Sequence, residues 1–420
     1  MPLTNNLADS SALSIYQKIK NNENIPVFQI LKETENQLIL KGQGTVAVST
    51  INNREFSIYL SASATEFFPG YALTVNQQKA TFYRCEQGNQ LIELKSESGV
   101  GLDSEEKCWY WFSIEKIQCS LDSINCRLRY GKGEQRELNI LMEYTLDDCT
   151  ASESWIEDIK HIHLNPIDIK VGEIWRDPVT IEPPLLIFPR DTITIEMAAT
   201  YKGTVVENLT SECQKLYANV AGKQFQLNTP DFPYFSEAIE QSIQNPKGWC
   251  YQTLKSKEKE FGEPNPDATY LRITLGVNQG ESPGIPYVLE IWPNGHYSPI
   301  HNHAKANAVI KVLHGEISVR LFDMLSVSHT TPFKTATIKE GDITWITPRL
   351  NQTHQLRNEN LHTVCVTVQC YLYNLEDNFH YECFDYIDNG GKDIKRFLPN
   401  SDMDFLAFKE QMKKEWESSK

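Results

Sequence analysis

Several things are missing from this 420-residue chain, and each absence removes a class of function. Basic residues are outnumbered 40 to 55 by acidic ones, giving a formal charge of −15. That balance argues against nucleic-acid binding, which needs cationic surface to displace counterions from phosphates. Glycine loops of the dinucleotide or P-loop kind are absent, and so is any basic amphipathic stretch suited to a membrane surface. No apolar run approaches the ~18 residues that span a bilayer. The N-terminus, MPLTNNLADSSALSIYQKIKNNEN, lacks the cationic start and apolar core of a secretory signal. The ten cysteines include no C-x-x-C pair, so they read as reduced thiols rather than a zinc ribbon or disulfide framework. These features together predict a cytoplasmic protein with no nucleic-acid or membrane partner.

What is present is a chain rich in short β-type segments. At 40% hydrophobic residues it can bury two or three cores. Residues 1–25 read as a polar tail. From 26 to 170, runs such as TVAVST, FSIYLSA, ATFYRC and CWYWFSIEKIQC are β-branched, aromatic and broken by Asn, Gly and Asp. This predicts a β-sandwich or jelly roll whose partner is unidentified. Residues 171–204 are proline-rich and predict an extended connector. Short helices follow, with Ser211 and Ser236 as caps, before strands return from Tyr270 to about Tyr386. The segment 396–420 predicts a C-terminal amphipathic helix. The expected fold is therefore mainly β, with few helices.

The chemistry concentrates in the second β-region. Eight of the ten histidines lie between His296 and His380, and their spacing is more informative than their number. In GHYSPIHNH, His301 and His303 stand at i and i+2. On a strand their rings would leave one face about 6.6 Å apart, convergent on one cation. His354, in GDITWITPRLNQTHQLRN, is the candidate third ligand.

These segments resemble the two motifs of the cupin superfamily. The first is carried by Gly295, His301, His303 and Gly315, with Ala308 where the family has a glutamate ligand. The second is carried by Gly341, Pro348, His354 and Asn358, with two extra residues between glycine and histidine. The resemblance implies a cupin β-barrel over about 205–395. Ala308 removes the carboxylate, and a neutral three-histidine face leaves room for a bidentate substrate and O2. GHYSPIHNH is also similar to the cysteine dioxygenase signature, which implies iron(II) and a small thiol, most simply L-cysteine, oxidised to its sulfinic acid. That resemblance further implies that Arg272, in the strand YLRITL with Tyr270, grips a substrate carboxylate. In QCYLY it implies that Tyr373 donates a hydrogen bond to substrate and oxygen, although Gln369 and Tyr371 replace the family's serine and histidine. Ala308 also excludes the cysteine–tyrosine crosslink of animal members. His296 and Ser298 are expected to orient a ligand histidine. The region around CWYWF loosely resembles the farnesoic-acid O-methyltransferase-like domain. Two other readings stay open: a non-oxidative metal cupin, isomerase or hydrolase, and a non-catalytic ligand-binding cupin.

Overall fold

The computed structural model describes residues 37–49, 54–87, 90–103, 108–120, 123–147, 154–166, 169–175, 184–200, 202–275, 287–304, 306–348, 350–373 and 383–419. The expected tail at 1–25 and the proline-rich part of the connector at 176–183 lie outside the described residues. The chain forms two compact units, one of residues 1–131 and 141–178, the other of 132–140 and 179–420. Among the described residues no helix is long and apolar enough to cross a membrane.

In the first unit the strands are β1 (Gly44–Ser49), β2 (Phe56–Ser61), β3 (Gly70–Val75), β4 (Lys79–Glu86), β5 (Gln90–Ser98), β6 (Trp109–Ser120), β7 (Ser123–Lys132), β8 (Ile140–Leu146), β9 (His161–Asn165) and β10 (Lys170–Trp175). They build two five-stranded sheets, ordered β10-β1-β6-β7-β8 and β5-β4-β3-β2-β9. Phe56 meets Tyr110 with ring centroids 5.3 Å apart, and Phe82 meets Phe112 at 5.5 Å. The apolar alternation of β2, β4 and β6 thus closes one aromatic core between two sheets, as a sandwich requires.

The second unit contains β11 (Leu186–Phe188), β12 (Gly203–Val205), β13 (Leu271–Thr274), β14 (Tyr287–Trp292), β15 (Asn307–His314), β16 (Glu316–Leu321), β17 (Lys334–Lys339), β18 (Ile343–Ile346), β19 (His354–Arg357), β20 (Cys365–Leu372), β21 (Phe384–Ile387), β22 (Ile394–Phe397) and β23 (Met403–Asp404). An eight-stranded sheet runs β12-β11-β18-β15-β20-β14-β13-β23, and β17-β16-β19 forms a second sheet. Trp292 and Val312 from the first sheet share a core with Ile317, Leu321 and Leu356 from the second. The outer face of the large sheet is covered by helices. Leu271, Ile273 and Ile291 pack under the helices Phe235–Gln244 and Phe405–Ser418, against Phe235, Phe408 and Met412. Period-two alternation therefore turns Tyr270 and Arg272 inward, to a barrel interior.

Three boundaries differ from the sequence expectation. The connector is partly structural, because β11 and β12 extend the barrel sheet. Residues 394–397 form a strand, so the last helix starts only at Phe405. Thr210, not Ser211, caps the helix Ser211–Val220 by accepting from the Cys213 amide at 3.3 Å.

Candidate metal centre

The three histidines meet in the barrel at the seam between its sheets. His354 opens β19, opposite Leu321 on β16. His301 is not on a regular strand, contrary to the period-two expectation. It forms isolated bridges to His354 and Tyr386, in a segment where Pro299 supplies no amide and Ala304 turns left-handed at φ 49°. The amides and carbonyls of His301 and His354 exchange two hydrogen bonds of 3.0 Å. This bridge fixes the separation of two ligands by backbone alone.

All three imidazoles are buried, and one ring nitrogen from each falls within 4.8 Å of the others. The Nε2 of His303 lies 3.1 Å from that of His301 and 3.2 Å from that of His354. The outer nitrogens decide the tautomers. His301 Nδ1–H donates to the Pro299 carbonyl and His354 Nδ1–H to that of Asn351, each at 3.0 Å. Both Nε2 atoms are then bare acceptors facing inward. One proton on His303 Nε2 can serve only one of them, leaving the other contact lone pair against lone pair.

A cation at the centre satisfies all three lone pairs. Two nitrogens about 2.1 Å from one metal and about 95–100° apart are roughly 3.1–3.2 Å from each other, which is the spacing of both His303 pairs. Burial pushes His301 down to about 3 and His354 down to about 4, and His303 well below its usual value. Each ring is held in the neutral, ligating form. Among the described residues no aspartate, glutamate or cysteine joins this group. Ala308 is fully buried, directly opposite Tyr371 on β20.

Beside the histidines is an enclosed cavity of ≈ 10 Å³, lined by Arg272, Glu290, Gln369, Tyr371, Phe384 and others. That is room for about one water. Arg272 Nη1 donates to Glu290, its cross-strand partner on β14; Gln369 Nε2 donates to the other Glu290 oxygen; Tyr371 donates to Gln369. Burial pushes the Glu290 carboxyl up, and the guanidinium beside it opposes that shift. The guanidinium therefore has a buried acidic partner on the neighbouring strand. Arg272 Nε and Nη2 are buried and meet no acceptor at full hydrogen-bond geometry among the described residues, although the Tyr270 hydroxyl interacts with the guanidinium. These two atoms form the side-on fork that a carboxylate accepts in bidentate fashion.

The remaining sequence candidates divide. Tyr270 lines the cavity, its ring 4.3 Å from that of Trp292. Tyr373 does not line it; the tyrosine beside the imidazoles is Tyr371, stacked on His303 at 5.0 Å. Register is the reason. Tyr371 pairs with Ala308, whereas Tyr373 follows the last paired residue, Leu372, and packs against the cluster of Ala308, Ile346 and Tyr371 without lining the cavity. Neither His296 nor Ser298 touches a ligand ring through a described hydrogen bond. His296 Nδ1 meets the Thr269 carbonyl at 2.9 Å, and Ser298 Oγ accepts from the Leu356 amide at 3.0 Å. The groups that do orient the imidazoles are the carbonyls of Pro299 and Asn351. Glu290 had a signal in the sequence: it interrupts an apolar strand, YVLEIW, in which both faces are buried.

No family model matches the chain. Among solved structures it is similar to a protein from Thermus thermophilus, at 18% identity over 27% of this chain and 92% of that one, with a TM-score of 0.20. It is also similar to an oxalate oxidase in complex with the substrate analogue glycolate, at 18% identity over 26% of this chain and 52% of that one, TM-score 0.20. A cupin superfamily protein from Desulfitobacterium hafniense is similar at 13% identity over 26% and 81%, TM-score 0.19. The chain thus spans about half the length of the oxalate oxidase it matches. By its own topology the second unit is a double-sheet β-barrel carrying a group of three histidines that could hold one metal ion.

Proposed function

We propose that the second unit is an iron(II)-dependent thiol dioxygenase acting on a small carboxylated thiol, L-cysteine first. The observation that carries this reading is the ligand set: three neutral imidazoles and, among the described residues, no carboxylate. Iron(II) bound there would supply thiolate binding and O2 activation, chemistry that side chains cannot provide. The overall change balances without another reductant. One thiol and one O2 give one sulfinic acid, with sulfur giving up the four electrons that O2 takes.

The chain's own residues would bind and orient. The Nε–H and Nη2–H fork of Arg272 would receive the carboxylate. Glu290 holds the third nitrogen, Nη1, and Gln369 holds Glu290, so the fork has one direction. Tyr371 keeps its phenolic proton, since burial raises it far above its usual range, and its ring screens one face of His303 from water. Cysteine is larger than the closed cavity, so this reading requires the lining to open on binding.

The small cavity favours one competing reading, a metal that closes the barrel without catalysing anything. One experiment separates them. The protein, loaded anaerobically with iron(II), is given O2 with cysteine, cysteamine or 3-mercaptopropionate. The proposal expects one O2 consumed per cysteine, with sulfinate as product and cysteamine the poorest substrate because it lacks the carboxylate. No O2 uptake with any of the three thiols, from protein that holds iron, sinks it.

A further inference from the structure

The loop that presents His354 is tied down by a piece of chain more than 200 residues away in sequence. Residues 132–140 belong to the second unit although the flanking stretches belong to the first. From this segment Glu134 reaches the loop and accepts the Asn351 amide at 2.8 Å and the Gln352 amide at 2.6 Å. Arg136, 1% exposed, donates Nη2–H to Glu134 at 2.6 Å and to Asn351 Oδ1 at 2.9 Å. Its guanidinium also lies 4.6 Å over the Phe333 ring.

The held residue has an unusual conformation. Asn351 has φ 59°, in the left-handed region, where a residue with a side chain is strained unless its surroundings fix it. The carbonyl of this residue accepts His354 Nδ1–H and so sets that ring's tautomer and direction. Gln352, the other residue Glu134 holds, donates Nε2–H to the carbonyls of Ala306 and Thr347 at 2.9 and 2.7 Å. Ala306 in turn donates its amide to the His303 carbonyl at 2.9 Å. One carboxylate therefore grips both branches that lead to two ligands.

We infer that Glu134 and Arg136 are positioning residues for the metal centre, holding Asn351 left-handed so that His354 Nε2 points at the shared metal position. This rests on the metal-binding reading above and goes beyond it, because it assigns the site's affinity to two residues outside the barrel motifs. A buried carboxylate with no basic partner would be costly, and Arg136 answers that need. Partners that orient ligands are typically worth about 10–100-fold in metal affinity.

The test uses the full chain and cobalt(II) alone, followed by its visible absorption. Wild type should bind one cobalt(II). Glu134→Gln should keep the far-ultraviolet circular dichroism but raise the cobalt Kd by about 10–100-fold and shift the visible bands. A folded variant with wild-type Kd and bands overturns the inference. If Glu134→Gln fails to fold, Asn351→Gly and Asn351→Ala decide. Glycine accepts the left-handed φ and alanine resists it, so Ala should weaken cobalt binding clearly more than Gly. Equal, wild-type affinities for both would overturn the proposal. Failure of wild type itself to bind cobalt(II) would instead remove the metal site on which it rests.

Discussion

Lowering the pH from 7 to 5 separates a buried histidine site from an exposed one by a wide margin. An ordinary imidazole titrates near 6.5, so at pH 5 each of three ligands would be almost fully protonated. Competition from those protons would weaken metal binding about ten-thousand-fold across the two pH units. In this protein burial holds His301 at about 3 and His354 at about 4, with His303 well below its usual value. At pH 5 all three are still neutral, so histidine protonation should cost the folded protein less than about two-fold in affinity. The metal-free protein shows the opposite sensitivity. Its depressed histidines leave folding unpenalised above pH 6.5, and stability is lost as pH falls toward the folded-state values, because the unfolded chain takes up protons first. At pH 5 the loss is about 2 kcal/mol for each of His301 and His354. Cobalt(II) titrations at both pH values, with circular dichroism to confirm that the chain stays folded, measure the affinity. Calorimetry of the metal-free form measures the stability. A thousand-fold drop in affinity at pH 5 with the fold intact would refute the claim that burial keeps these rings neutral.

Other consequences can be checked by substitution. Glu290→Gln removes the counter-charge of a buried arginine and turns a donor toward Gln369; it should cost about 3–5 kcal/mol, read as a lowered Tm of the second unit, while the double change Arg272→Met with Glu290→Leu should recover most of that loss. Tyr371→Phe keeps the ring on His303 but removes the hydroxyl that holds Gln369 and, through it, Glu290; it should raise the KM for cysteine clearly more than Tyr373→Phe, since Tyr371 and not Tyr373 lines the cavity. Phe384→Ala takes away a ring 4.5 Å from that of His303; it should cost about 3–5 kcal/mol and lower KM for thiols bulkier than cysteine, by direct kinetics.

The grouping of the three histidines was legible in the sequence because spacing and backbone pairing coincide there. His301 and His303 share a motif, and His354 sits opposite His301 across a two-hydrogen-bond bridge. The strand geometry assumed for GHYSPIHNH was not correct, since convergence comes from an irregular segment at the sheet seam. The resemblance points to Tyr373 in QCYLY, whereas register with Ala308 sets Tyr371 against His303, a pairing that motif counting along the strand does not reveal. Glu290 shows what a lone-arginine reading omits: a guanidinium inside a barrel needs a counter-charge, and the cross-strand residue is where one fits. The grip of Glu134 and Arg136 on Asn351 had no local signature at all. It joins residues more than 200 positions apart, and only the folded chain brings them together.

X-ray absorption of the cobalt(II)- or iron(II)-loaded protein addresses the metal site most directly. The expected spectrum has three imidazole nitrogens at about 2.1 Å around a single ion, and the three-nitrogen pattern should disappear in His354→Ala. A coordination shell containing a protein carboxylate, or a spectrum unchanged by that substitution, would contradict it.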